Sequence, residues 1–271
     1  DGFACYMYGE IDTPIESSCL YTDGELYGGE GEADRVGVAI DLKAGGGAIL
    51  RLATSFISVA QARRNLEYEV AGQSFEALRD GNEAVWEERL GRIEIEGASE
   101  EQKQTFYSCL YRTQLFPRIW HELDQSSNPI HYSPYDGEIH QGVLYADNGF
   151  WDTHRTVYPL LSILDPQRLS EMVEGWTNAA KEGGWFPKWS SPGYRACMIG
   201  THLDAVVADA FVKGCRDFDV DAAYAAMVKD ATQVGNAEGS FGRAGIEAFG
   251  ALGYVPTDEF EHAASRTMDH A

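Results

Sequence analysis

The spacing of apolar residues changes once along the chain, near Ser58, and this change limits the possible folds more than any other feature. Four short runs rich in aromatic and aliphatic residues precede it: residues 3–9, 19–28, 36–42 and 48–55. Glycine clusters at residues 28–31 and 45–47 interrupt them, and such runs and breaks are typical of β-strands joined by turns. Beyond Ser58 the apolar residues recur at helical spacing. The sequence therefore predicts a β part followed by an α part.

The last two runs of the β part suggest how its strands pair. Residues 36–42 and 49–57 are rich in branched apolar side chains and follow each other closely, which favours two neighbouring antiparallel strands. An open sheet with unpaired edges tends to aggregate. We therefore expect further strands before Asp1, and we interpret the chain as a segment of a longer protein.

The α part begins with two predicted helices, residues 59–69 and 75–92, which we interpret as a connector. A third helix is predicted from Ser99, because Ser99 and Gln102 have the spacing of a capping box, and it ends before Pro117. Further helices are predicted at residues 166–181, 199–213, 220–233, 245–252 and 258–270. No strand pattern separates these helices, so an α-helical domain is favoured over alternating strands and helices.

The charge of the chain excludes one class of partner. Its 21 Lys and Arg residues stand against 43 Asp and Glu residues, a formal net charge of −22. Nucleic acids and anionic membranes recruit basic surfaces, so neither is an expected partner. No run approaches the ~18 apolar residues of a membrane helix, and no membrane span is predicted.

The five cysteines argue against a zinc site. They are odd in number and widely spaced, and none forms a C-x-x-C pair. Cys5 and Cys19 could form a disulfide across a hairpin in an exported protein, or both could remain free thiols.

Two loop segments combine indole rings with charged side chains. The first, inside the long loop 120–156, holds Trp151, Asp152 and Arg155, and the second holds Trp185 and Trp189 between glycines and prolines. Long loops in compact domains are usually functional, and an indole ring offers a flat apolar face against which a pyranose can stack. The alternative is that these tryptophans fill the core of the domain.

Three polar residues have both a functional and a structural interpretation. Asp152 could bind sugar hydroxyls as an ionised carboxylate paired with arginine, or it could cap a helix that begins at Thr153. His202 and Asp204 are weak candidates for metal ligands and fit an ordinary hydrogen-bonding cluster at the start of a helix. The chain has no nucleophile elbow, phosphate-binding loop, H-E-x-x-H or EF-hand motif.

Several strings from residue 101 to the C-terminus together resemble glycoside hydrolase family 92, a family of α-mannosidases. The segment 150–161, FWDTHRTVYPLL, is similar to the WDT-x-R-T-x-x-P-L-L motif of that family, and GGWFPKW at 183–189 is similar to a second motif. CMIGTHLD at 197–204, Tyr107-x-x-Leu-Tyr-Arg112 and Gly250-x-x-Gly-Tyr-Val-Pro256 fit the same family in the same order. Several ordered motifs make this resemblance far more specific than any single one.

The resemblance implies a multidomain β and α architecture. Residues 1–57 would be the end of an N-terminal antiparallel β-sandwich, residues 58–97 linker helices, and residues 98–271 the first part of an (α/α)6 barrel. The family is calcium-dependent, exo-acting and inverting on α-mannosides, often α-1,2 or related linkages of N-glycans. Inversion requires a general acid and a general base about 6.5–9.5 Å apart. An extracellular or cell-surface location is favoured by the resemblance, with a cytoplasmic one also open.

The resemblance also assigns candidate substrate-binding residues. Asp152 corresponds to a carboxylate of the −1 subsite and Trp189 to an aromatic residue of the same pocket. The further candidates are Trp151, Arg155, Trp185, His202, Asp204 and, on a looser alignment, Cys5 of the β part.

One departure from the family bears on mechanism. The motifs that carry its acid, its base and its principal calcium ligands do not occur here, so all of these are expected beyond Ala271, in the rest of the same polypeptide. We therefore expect no catalytic residue and no metal ligand among residues 1–271, and no hydrolysis by this chain alone. The alternatives are another (α/α)6 glycosidase and a non-catalytic carbohydrate-binding module.

Overall fold

The computed structural model describes residues 3–22, 25–28, 31–32, 35–43 and 47–271. The chain divides into two compact units, Ala4–Ser74 and Phe75–Ala271, and Phe3 is grouped with the second. Most residues of the predicted glycine clusters, including Gly29, Gly45 and Gly46, lie outside the described residues.

The first unit is built from short antiparallel strands and one helix. They are β1 (Tyr6–Ile11), β2 (Ile15–Thr22), β3 (Glu25–Tyr27), β4 (Gly37–Leu42), β5 (Leu50–Ser55) and α1 (Val59–Glu69). β2 lies between β3 and β4 in one sheet, and β1 pairs with β5 in another. The two parts of the sequence prediction, strands first and helices after, are confirmed at this level.

The predicted pairing of the last two strands was wrong. β4 pairs with β2, with Leu20 opposite Val38, and β5 pairs with β1, with Tyr6 opposite Ser55. The physical reason lies in α1, which packs on both β1 and β5 and buries Ala62 and Leu66 completely. Burial of the apolar face of this helix therefore requires β1 and β5 to lie side by side.

Helix α1 forms where it was predicted. The hydroxyl of Ser58, in extended conformation, accepts a hydrogen bond from the backbone N–H of Gln61 and so caps the helix.

The second unit is mainly helical. Its helices among the described residues are α2 (Phe75–Leu90), α3 (Glu100–Arg112), α4 (Phe150–Thr153), α5 (Val157–Leu164), α6 (Pro166–Gly183), α7 (His202–Val212), α8 (Val220–Thr232), α9 (Ile246–Leu252) and α10 (Ala263–His270). Short strands lie among them: β6 (Arg118–Ile119), β7 (Glu122–Leu123), β8 (Pro129–Tyr132), β9 (Ile139–Gln141), β10 (Tyr145–Ala146), β11 (Asn148–Gly149) and β12 (Trp189–Ser190).

The capping box predicted at Ser99 is confirmed, and two further helix ends are capped in the structure. Ser99 and Gln102 form a reciprocal capping box at the start of α3. The Asp165 carboxylate accepts from the backbone N–H of Arg168 at the start of α6, with Pro166 in the first turn. Gly214 follows α7 with a φ of 92°, as a glycine at this position allows.

Two other predictions about this unit need correction. The predicted structureless loop 120–156 contains strands β7 to β11, each only two to four residues long, too short for alternation to be visible in the sequence. The last helix begins at Ala263 rather than at Asp258, because His262 adopts a left-handed φ of 55° that interrupts a helix.

The core of the second unit lies among α5, α6, α7 and α8. Trp176 on α6 is fully buried and contacts the rings of Phe150 and Tyr158 at centroid distances of 4.8 and 5.3 Å. The tryptophan that fills this core is thus Trp176, outside both loop segments. No helix in the described part of the chain combines the length and apolar character needed to cross a membrane.

Candidate functional site

A cavity of about 710 Å³ lies in the second unit, where Trp151 and Lys188 of the two aromatic segments meet α10. The residues that line it include Trp151, Lys188, Cys197, Glu238, Arg266 and Asp269. This volume falls within the range of pockets for small molecules, and the wall combines an indole with charged groups of both signs.

A two-residue β-ladder holds the aromatic segments together. β11 pairs with β12, with Asn148 opposite Ser190 and Gly149 opposite Trp189. A Cβ atom on Gly149 would lie 2.2 Å from the indole ring of Trp189, so only glycine permits this approach. Trp189 is consequently half-buried against β11, whereas Trp151, two residues after Gly149, is 45% exposed.

The side chain of Trp185 packs against neighbouring side chains rather than facing solvent. Its indole stacks on Phe241 with a centroid distance of 5.2 Å, and the Nζ of Lys229 lies 4.4 Å from the ring centroid. The same ammonium donates to the carbonyl oxygen of Gly184 at 2.6 Å. Trp185 therefore ties its own segment to α8 and to Phe241.

The structure decides one of the two interpretations of Asp152. α4 is capped by the backbone of Gly149 and α5 by Thr156, neither through a side chain, so the interpretation of Asp152 as a helix cap was wrong. Asp152 is exposed within α4. The guanidinium of Arg155 donates to Nε2 of His154 at 2.9 Å, so the hydrogen bond of this arginine goes to its neighbour.

His202 stacks on His154 beside the cavity. Their rings are 4.3 Å apart and nearly parallel. Burial, and then the adjacent His154, lower the pKa of His202, which favours the neutral imidazole. Its Nε2 lies 3.9 Å from the Oδ1 of Asp269, so this contact is not an ion pair at neutral pH.

Gly200 makes the approach of His202 possible. Its φ is +83°, and a Cβ there would lie 2.7 Å from Nε2 of His202 and 3.1 Å from the carboxyl carbon of Asp269. Asp269 was not predicted from the sequence. It lies on α10, and no local pattern connects it to His202.

Asp204 is buried behind the cavity and already has two donors. Its Oδ2 accepts from the hydroxyl of Thr201 at 2.7 Å and from Nη2 of Arg243 at 2.8 Å. The Nε of Arg243 also donates to the Thr201 hydroxyl at 2.7 Å. Asp230 on α8 is fully buried, and burial, with the neighbouring Asp204 next, raises the pKa of Asp230 to about 9. Neither Asp230 nor Arg243 was predicted from the sequence.

Lys188 connects the second aromatic segment to the loop 233–245. Only 6% of Lys188 is exposed, and its Nζ donates to the carbonyl oxygen of Gly239 at 3.0 Å. Burial, with Arg266 next, lowers the pKa of Lys188. Pro187 also bridges to Phe241, so the loop is held along this segment.

Cys5 belongs to the first unit. It is exposed and, like the other four cysteines, carries a free thiol. The contribution of Cys5 to the site stays a prediction.

The described residues do not fit a calcium site. Within 3–22, 25–28, 31–32, 35–43 and 47–271, no three or more His, Cys, Asp or Glu side chains converge as metal ligands would.

Comparisons with known proteins agree with one another. The model of the glycosyl hydrolase family 92 catalytic domain matches residues 61–271. An uncharacterized secreted glycosidase of Arthroderma benhamiae is 28% identical over 240 residues, which are 82% of this chain and 26% of that protein.

Two solved structures share the fold. A family 92 inverting mannosidase from Bacteroides thetaiotaomicron superposes with a TM-score of 0.91 at 38% identity, over 100% of this chain and 37% of that one. A family 92 α-mannosidase from the same bacterium, in complex with mannoimidazole, superposes with a TM-score of 0.81 at 24% identity, over 98% of this chain and 35% of that one. The chain thus spans about a third of the length of these mannosidases.

Proposed function

Because the chain belongs to glycosyl hydrolase family 92, we propose that it forms part of an α-mannosidase. The substrate is terminal α-linked mannose, in α-1,2 or related linkages of N-glycans, and hydrolysis inverts the anomeric configuration. In this proposal the chain supplies part of the −1 sugar site. The observation that carries it is the β11–β12 ladder, which joins the Trp151 and Trp189 segments beside a cavity of about 710 Å³.

Each candidate residue takes a role that suits its surroundings. Trp151 is the exposed ring against which one face of the sugar packs, and Asp152 accepts hydrogen bonds from sugar hydroxyls. Trp189 and Trp185 support this surface from the second segment. His202 and Arg155 lie on the polar side of the site and contact His154. Asp204 positions Thr201 and Arg243, to which it is hydrogen-bonded. Cys5, on its looser alignment, remains a candidate for substrate binding.

The catalytic acid, the base and the calcium ligands are proposed to lie outside residues 1–271. This placement is supported by the length of the solved inverting mannosidase, of which the chain covers 37%. Activity, in this proposal, requires further residues of the same polypeptide. We further propose that residues 1–57 end a β-sandwich, that residues 58–97 link it to the next domain, and that residues 98–271 begin an (α/α)6 barrel.

An extracellular or cell-surface location completes the proposal. It is supported by the relative from Arthroderma benhamiae, whose name describes a secreted glycosidase.

Calorimetric titration of the 271-residue protein with methyl α-mannoside tests the sugar site, with methyl α-glucoside as the matched control that differs only at C2. We expect the mannoside to bind more tightly, with and without a calcium chelator. Equal binding of both sugars would contradict a mannose site, and binding of neither would contradict any −1 site within this chain.

Hydrolysis of an aryl α-mannoside by the same protein tests the placement of the catalytic groups. We expect no turnover, because the proposed acid and base lie outside residues 1–271. Turnover at any rate above that of the buffer would refute this placement while leaving the sugar site intact.

A further inference from the structure

Two carboxyl groups and a single guanidinium meet in the interior between α7, α8 and the loop 233–245. Asp230 is 0% exposed and Asp204 is 8% exposed. Arg243 is the cation that donates to Asp204. If both carboxyl groups were ionised, this buried cluster would carry an unbalanced negative charge, which is costly away from water.

The hydrogen bonds show which carboxyl group lacks partners. Asp204 Oδ2 has two donors, Thr201 and Arg243. Among the described residues, nothing donates to Asp204 Oδ1 or to either oxygen of Asp230, all of which are buried. Besides burial, which raises the pKa of both, a side-chain hydrogen bond between the two carboxyl groups raises the pKa of Asp230 and opposes the effect of burial on the pKa of Asp204. One proton on Asp230, directed at Asp204 Oδ1, would therefore supply a donor to one group and a partner to the other.

The other charged and titratable groups near Asp230 do not replace this proton. Lys229 is adjacent on α8, but its ammonium is bound to the carbonyl of Gly184. Lys188 donates to the carbonyl of Gly239, and the hydroxyl of Tyr194 donates to the carbonyl of Trp185. None of these donors is directed at Asp230.

We propose that Asp230 keeps its proton at neutral pH and donates it to Asp204, and that this proton-sharing pair positions Arg243 and with it the loop 233–245 that forms one wall of the cavity. Asp230 is thus a positioning residue that acts through Asp204 and Arg243. The inference rests on the proposed function only in naming a sugar as the ligand of the cavity.

The consequence for the cavity follows from what Arg243 holds. The loop 233–245 contributes Glu238, Gly239 and Ala244 to the cavity wall. When Asp230 loses its proton, Asp204 Oδ1 loses its donor and two anions face one guanidinium. Arg243 can then balance the charge of only one of the two carboxylates. The hydrogen bonds by which it fixes the loop 233–245 to Asp204 and Thr201 weaken. As a result, sugar affinity falls as the pH rises.

The proton on Asp230 also makes the stability of the folded protein depend on pH. The pKa of Asp230 is raised in the folded protein, so between about pH 4 and pH 9 the folded state retains a proton that the unfolded chain has lost. Stability therefore falls as the pH rises through this interval, and the loss is complete above the folded pKa. One proton changes the folding equilibrium constant by about tenfold per pH unit.

Asp230→Asn tests the pair, because an amide is neutral, has nearly the same shape and can still donate to Asp204. We expect Asp230→Asn to match the wild type in urea unfolding near pH 4 and to lack the wild-type loss of about tenfold per pH unit between pH 5 and pH 9, so that the variant is the more stable of the two at pH 7. Asp230→Ala leaves Asp204 Oδ1 without a donor and should be less stable than Asp230→Asn at every pH. Asp221→Asn, exposed on the same helix, should leave the pH dependence unchanged.

Two results would overturn the proposal: an Asp230→Asn variant as unstable as Asp230→Ala at pH 7, or one that keeps the wild-type pH dependence. Infrared spectroscopy of the wild type tests it even if the variants do not fold, since a buried protonated carboxyl group must be visible at pH 7. Absence of that band contradicts the proposal.

Titration with methyl α-mannoside at pH 7 and pH 9 tests the effect on the cavity. We expect the dissociation constant of the wild type to rise at pH 9 and that of Asp230→Asn to stay constant. An equal rise in the dissociation constants of both proteins would contradict the positioning role of Asp230. If the sugar binds neither protein, the proposed function fails, whereas the unfolding and infrared results still judge the proton-sharing pair.

Discussion

Asp152 is the exposed carboxylate of α4, next to the ring of Trp151 that lines the cavity. A charge-assisted hydrogen bond to a ligand contributes about 1.5–3 kcal/mol. We expect Asp152→Ala to weaken binding of methyl α-mannoside by at least tenfold in calorimetric titration. Asp217→Ala, an exposed carboxylate in the loop between α7 and α8, is the matched control and should bind as the wild type does. A loss below twofold in Asp152→Ala would remove this residue from the site.

Gly149 offers a second test at the scale of one residue, because a methyl group there would enter the space of the Trp189 indole. Overpacking of this kind costs about 1–3 kcal/mol. We expect Gly149→Ala to lower the free energy of unfolding by that amount, measured in urea. Gly81→Ala is the contrasting control, since nothing lies within 4 Å of a Cβ in this helical position, and it should stabilise α2 by about 0.5–1 kcal/mol. Equal effects of both changes would show that the ring moves away freely.

At the scale of the element, Asp165 joins two helices. Its carboxylate caps α6 and lies 3.2 Å from the guanidinium groups of both Arg89 on α2 and Arg92 that follows it. Asp165→Ala removes the cap and both ion pairs, and should cost about 2–3 kcal/mol in urea unfolding. Asp165→Ser retains a capping oxygen and should recover about 1 kcal/mol. If the two variants are equally unstable, the cap contributes nothing.

The sequence predicted elements where local chemistry decides them. The helix start at Ser99 could be predicted because the capping side chain lies three residues from the donor that it satisfies. The partner of β5 could not be read, since pairing with β1 is dictated by a helix that covers both. Strands of two to four residues in 118–149 are too short to show any period.

The same limit applies to the candidate site. The aromatic segments could be identified because each concentrates its indole rings and polar residues within a few positions. Asp230, Arg243 and Asp269 could not, because each reaches the site from a separate element and none carries a local motif. Burial and mutual distance distinguish them from the many acidic and basic residues of the chain.

At the scale of the whole molecule, the two units differ in how much apolar surface they bury. Among the described residues, the fully buried apolar side chains of Ala4–Ser74 are Ala62 and Leu66, whereas the second unit has a continuous core around Trp176. Local stability follows buried apolar contacts. We therefore expect backbone amides of β4 to exchange with deuterium at least a hundredfold faster than those of α6, measured by mass spectrometry. Equal protection of both elements would contradict this difference.

The β11–β12 ladder also determines when the two aromatic segments can meet during synthesis. Gly149 and Trp189 are partners, yet 40 residues separate them, and α5 and α6 lie between. At a translation rate of about 5–20 residues per second, the ribosome needs about 2–8 s to add those residues. For that interval β11 exists without its partner strand, and the Trp151 segment remains apart from the Trp189 segment.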